Sequence, residues 1–148
     1  MTAEEVSGLR RQGACRLHKI CSEFVSLLNS KLPRSPLELS PPTYVPEMFR
    51  ESDVNLIQVS SQGRQLQIVF QATPGRFSTE NYPVPYILEG EVRTYNQQML
   101  EHFEIRNQSL FYSLNDETAA WEFFDWRNPR TVPLTPDLLA SLMQRLFI

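Results

Sequence analysis

Long apolar runs are missing from this chain. No stretch approaches the ~18 apolar residues of a membrane-spanning helix, and no apolar segment follows a basic N-terminus as in a secretion signal. A cytoplasmic protein without a membrane partner is expected. Cysteine is scarce: only Cys15 and Cys21 occur in 148 residues. In a helical pattern that spacing sets them on different turns, about 120° apart, poor geometry for a bridge, so reduced thiols are expected. Histidine is as rare, His18 and His102 alone. With no serine elbow and no reactive-cysteine context, little is left from which to build a hydrolytic triad. There is no nucleotide-binding signature, internal repeat or low-complexity tract. An excess of positive charge is also lacking: 14 basic residues stand against 17 acidic ones, net −3, which disfavours general nucleic-acid binding.

What is present suits one folded domain over 1–148. The chain is 41% apolar and 21% charged, and a chain of this length buries about 68–70% of its unfolded surface, enough for a core without disulfides or metal. Its 11 prolines fall in three clusters, over 33–46, 74–85 and 129–136. Proline fixes φ and removes a donor, so these clusters mark where regular structure stops. The first opens a proline-rich connecting loop over 33–53, pinned to the body by Tyr44, Val45, Met48 and Phe49.

Between the clusters the periodicities are distinct. Over 4–32, Val6, Leu9, Leu17, Ile20, Phe24, Leu27 and Leu28 recur at steps of three and four or their sums, an amphipathic helix. Gly8 and Gly13 each cost about 1 kcal/mol in a helix interior. The expectation is therefore a frayed start and a firm helix from about Gly13, with close approach of a neighbour at Gly13 as the alternative. Arg10, Arg11, Arg16 and Lys19 form a basic face, either solvated or turned to an acidic partner.

Segments 54–60 and 64–72 read as a hairpin about Ser61-Gln62-Gly63, with Leu66, Ile68 and Phe70 opposite Gln65, Gln67 and Gln71. A slip of phase between Leu56 and Ile57 suggests a bulge or burial on both sides. The chain is organised around 86–126. There Tyr86, Leu88, Gly90 and Val92 alternate with Ile87, Glu89, Glu91 and Arg93. Strands over 99–106 and 110–114 flank a turn at Asn107-Gln108-Ser109, and over 119–126 Trp121, Phe123 and Asp125 oppose Glu122, Phe124 and Trp126. Residues 127–134 read as a connection. Thr135-Pro136-Asp137 then reads as a helix start, with Leu138, Leu139, Leu142, Met143, Leu146 and Phe147 on one apolar face. The predicted fold is α+β: a long N-terminal helix, a five- or six-stranded antiparallel meander sheet and a C-terminal helix, both helices on one sheet face.

Several residues carry chemistry by type. Cys15, His18 and Cys21 are zinc-competent, but a structural site wants four converging ligands and no second pair follows, so neither metal nor cofactor is expected. His102 shares a strand face with Glu104, which could orient it as a base; a surface histidine is the plainer reading. Glu89 and Glu91 point the same way ~7 Å apart, as paired catalytic carboxylates do, although Arg93 extends the row and would neutralise Glu91. Gly90 marks a bulge or a close backbone approach. Trp121, Phe123, Phe124 and Trp126, followed by Arg127, form the densest aromatic cluster, of the residue types that most often anchor interfaces. An exposed Phe124 and Trp126 would imply a partner; burial under the 33–46 loop is the competing account.

These features point to a non-enzymatic interaction or accessory, chaperone-like module. It would bind a protein partner or a second copy of itself through the second sheet face. Trp126, Phe124, Arg127, Arg93, Glu91 and His102 are the interface candidates, and no residue is assigned as catalytic. The alternative is a small-molecule binder or enzyme with a pocket between sheet and helices, lined by Tyr86, Tyr112 and Trp121, in which His102 and Glu104 supply polar chemistry.

Overall fold

The computed structural model describes residues 2–31, 36–77, 84–95, 108–115, 118–125 and 130–144. A capping box starts the first helix: Thr2 Oγ1 accepts from Glu5 N at 3.1 Å, and Thr2 N donates to Glu5 Oε2 at 3.3 Å. With its first turn so satisfied, α1 runs over Ala3–Asn29 without the expected fraying. Gly13 is instead the close approach. A Cβ there would lie 2.6 Å from the Tyr112 ring, and Trp121 Nε1 donates to Gly13 O at 2.7 Å. The C-terminal helix, α2 (Pro136–Gln144), starts where the sequence indicated, with Thr135 Oγ1 accepting from Leu138 N at 3.2 Å. No described helix is long and apolar enough to cross a membrane.

Seven antiparallel strands follow one another in a meander: β1 Glu38–Ser40, β2 Asn55–Ser61, β3 Arg64–Phe77, β4 Tyr86–Tyr95, β5 Gln108–Asn115, β6 Thr118–Asp125 and β7 Arg130–Pro133. The count exceeds the expected five or six because two short edge strands lie in segments read as loops. β1 sits inside the 33–53 loop and β7 inside the connection after 126. The expected strand over 99–106 lies outside the described residues. Gln108 and Ser109 belong to β5 rather than to a turn, and β4 pairs directly with β5. The β2–β3 hairpin is as read: Gln62 and Gly63 carry φ of 47° and 77°, the two positive values a two-residue turn of the favoured hand requires.

Both helices pack on one face. Leu17, Cys21, Phe24 and Leu28 of α1 join Leu139, Leu142 and Met143 of α2 over Ile57, Val59, Leu66, Ile68, Phe70, Leu88, Val92, Leu110, Tyr112, Trp121 and Phe123. Leu37, Leu39 and Tyr44 of the proline-rich segment join this same core, so that segment lies on the helix side and does not cover Phe124. His18 fixes it, donating from Nε2 to Pro41 O at 2.7 Å and stacking on Tyr44 at 5.4 Å. Arg10, expected on a solvated face, is buried. Its guanidinium donates to Ile87 O at 3.0 Å, to Thr73 O and to Glu51, tying α1 to β3, β4 and the segment before β2. Arg16 likewise reaches Tyr112 Oη at 3.1 Å and Ala119 O at 2.8 Å.

Candidate functional site: the second sheet face

Strand alternation decides which side chains reach the face away from the helices, and three features of the strands bear on it. First, β2 pairs with β3 in unbroken register. The slip of phase at Leu56 is therefore no bulge: Leu56 points to the second face, half exposed at 49%. Second, the ladder between β4 and β5 shifts between Tyr86 and Leu88. That irregularity sends Tyr86 to the second face and Ile87 into the main core, the reverse of simple alternation. Third, Gly90 is a close backbone approach, since a Cβ there would stand 2.5 Å from Val69 O.

Register then carries side chains into rows across the face. Leu56, Val69, Glu91, Ser109 and Phe124 form one row; Gln71, Glu89, Phe111 and Glu122 form the next; Gln58, Gln67 and Arg93 form a third. Tyr86, Phe111 and Phe124 make a small second apolar cluster with Val84, the Tyr86 and Phe111 rings 4.6 Å apart. Beside it opens a concavity of about 500 Å³, lined by Val54, Val69, Tyr86, Glu89, Arg93 and Phe111 among others. Exposed Val54 and Leu56 lie at this side of the sheet.

The polar groups are loosely held. Arg93 Nε and Nη2 donate to Glu91 Oε2 at 3.2 and 3.1 Å in an exposed pair. Gln71 Nε2 donates to Glu89 Oε1 at 3.4 Å. Burial pushes the Glu122 carboxyl above its ordinary range. Burial, and then the charge of Glu89, push the Tyr86 hydroxyl up.

Of the interface candidates read from sequence, the structure brings Glu91, Arg93 and Phe124 to this face. Phe124 is 4% exposed, an element of the second cluster rather than a protruding ring. Trp126, Arg127 and His102, and Glu104 with them, lie outside the described residues. Val54, Leu56, Val69, Tyr86 and Phe111 were not singled out for this face as a group. The phase slip at Leu56 was the one local signal, and its reading as a bulge or as burial on both sides hid it.

Elsewhere, among the described residues, the candidate chemistry does not assemble. The three rings meant to line a pocket between sheet and helices divide: Tyr112 and Trp121, 5.2 Å apart, are packed into the helix-side core, while Tyr86 faces the other way. Cys15 and Cys21 are both free. Burial pushes the Cys21 thiol up to about 12, and burial with the charge of Glu47 pushes Cys15 up, so neither resembles an activated nucleophile. Among the described residues no three His, Cys, Asp or Glu side chains stand together as a metal-ligand set.

Comparison with protein-family models, with curated proteins and with solved structures found no match to this chain. The geometry of the second face therefore carries the functional reading.

Proposed function

We propose that this protein is a non-enzymatic interaction module that docks a protein partner on its second sheet face. One observation carries the reading. The face opposite the helices holds a concavity of about 500 Å³ beside Val54 and Leu56, each about half exposed, although the two helices among the described residues offer apolar surface with which to cover it. Both are committed to the other side. Large apolar side chains left open in a rim of glutamines and carboxylates are the composition of a docking surface.

A photo-crosslinking residue placed at Leu56 or Gln58 tests it against one placed at Lys19 or Glu23 on the outer side of α1. Partner adducts concentrated at 56 and 58 support the reading. Equal labelling at both sets would overturn it. Light scattering across concentration separates a foreign partner, which leaves the mass of the pure protein unchanged, from a second copy, which raises it.

A further inference from the structure

Charge is uneven across the rows that line the concavity. Glu91 is neutralised within the site by Arg93. Among the described residues Glu89 accepts from the Gln71 amide at 3.4 Å, and no cation lies within ion-pair reach of it. Glu122, beyond Phe111 in the same row, adds a second carboxylate without a described cation. The wall beside Glu89 is aromatic, built from Tyr86 and Phe111. Next to such a wall a charge is less screened than in open water.

We propose that the occupant of this concavity is a basic, extended segment of a partner protein, with an arginine or lysine head against Glu89 and its alkyl stem along Val69 and Phe111. This rests on the docking reading above and adds the chemistry of the partner. Successive side chains of an extended segment point to opposite sides, so alternate residues can meet Glu89 and the apolar shelf of Val54 and Leu56. A second copy of this chain fits worse. A two-fold contact through this face would set the same acidic patch of each copy against the other, like charge on like.

The test is fluorescence anisotropy at low salt with a labelled extended peptide carrying arginine at alternate positions. Its uncharged citrulline counterpart, its glutamate counterpart and free arginine methyl ester serve as controls. The arginine peptide should bind about tenfold more tightly than the citrulline peptide and lose affinity as salt is raised. Glu89→Gln should weaken it about fivefold, while Arg93→Gln, which removes the competing internal cation, should tighten it about threefold, opposite signs that a merely structural role would not give. Thermal melts of both variants confirm that each is folded.

Three results overturn the inference: no binding of the arginine peptide at low salt, equal binding of the citrulline peptide, or indifference to Glu89→Gln. If arginine methyl ester binds as tightly as the peptide, the site is a small-molecule pocket and the proposal of a protein segment falls. If the citrulline or glutamate peptide binds better and labels Leu56, the basic partner is wrong while the docking reading stands. Failure of the crosslinking comparison removes both.

Discussion

On the helix side of β3, Leu66, Ile68 and Phe70 are at most 1% exposed, whereas their neighbours Gln65, Gln67 and Val69, one step away along the same backbone, stay partly open on the other side. The two faces share every backbone hydrogen bond of the sheet and differ in what covers them. Under the helices rings pack on one another: Phe70 is edge-on to Trp121 at 6.0 Å and stacked on Phe49 at 6.2 Å. On the second face, among the described residues, Tyr86, Phe111 and Phe124 close up with Val84, and around them stand glutamines, carboxylates, Arg93, Ser109 and half-open aliphatics. The difference separates stability from recognition: close packing is concentrated where the helices lie, and the open side is free to change its contacts.

The sharpest way to break that comparison is to truncate adjacent residues on opposite faces. Phe70→Ala should cost about 3–5 kcal/mol in chemical denaturation, because a buried ring leaves a cavity that Phe49 and Trp121 cannot fill. Val69→Ala should cost less than about 1 kcal/mol. Similar losses for the two would mean that the faces are equally load-sharing.

The helix contact gives a smaller, signed test. Ala is the better helix former by about 1 kcal/mol, so Gly8→Ala, with nothing within 4 Å of the new Cβ, should stabilise by up to that amount. Gly13→Ala should instead destabilise by about 1–3 kcal/mol, since its Cβ meets a Tyr112 ring that Trp121 holds in place. Stabilisation by both would show that α1 stands further from the sheet.

Alkaline pH probes the same buried side. The Cys21 thiol, ordinarily at 9.0, is pushed up to about 12 by burial. Between those values the folded chain retains a proton that the unfolded chain loses, so stability is intact below about 9 and falls as pH rises towards 12. Tyr44, pushed up to about 12 by burial and then by Cys15, adds to the decline from its ordinary 10.0. Denaturation midpoints should hold to pH 9 and then drop, with a shallower drop in Cys21→Ala; an unchanged slope in that variant would place the cause elsewhere.

The smallest effect belongs to the second face. Glu91→Gln breaks an ion pair that water screens and should change stability by less than about 0.5 kcal/mol. A larger loss in thermal or chemical denaturation would show that the open face contributes to folding.

Much of this division was legible in the residues. The alternation of Leu66, Ile68 and Phe70 against glutamines, the aliphatic stripe of α1 and the Thr135 start of α2 are local patterns, and each became the element it indicated. The candidate site was legible only in part. Glu91 and Arg93 could be put on the second face by counting in twos, but Tyr86 could not, because an irregular ladder reverses the count at Ile87.

The sequence alone determined where the two described helices and the longer strands β2 to β6 lie, and which side of most of those strands is apolar, because those choices depend on residues within a turn or two of one another. Tertiary structure alone decided the three-residue β1 and four-residue β7, too short to carry a period, and recruited each by pairing to a neighbour. It also decided that Arg10 is buried against Ile87, 77 residues away, that Gly13 lies under Trp121, 108 residues away, and that Leu56 faces open water. The reason is physical: a side chain's burial is set by which distant atoms arrive to exclude water from it, and no short window of sequence contains those atoms.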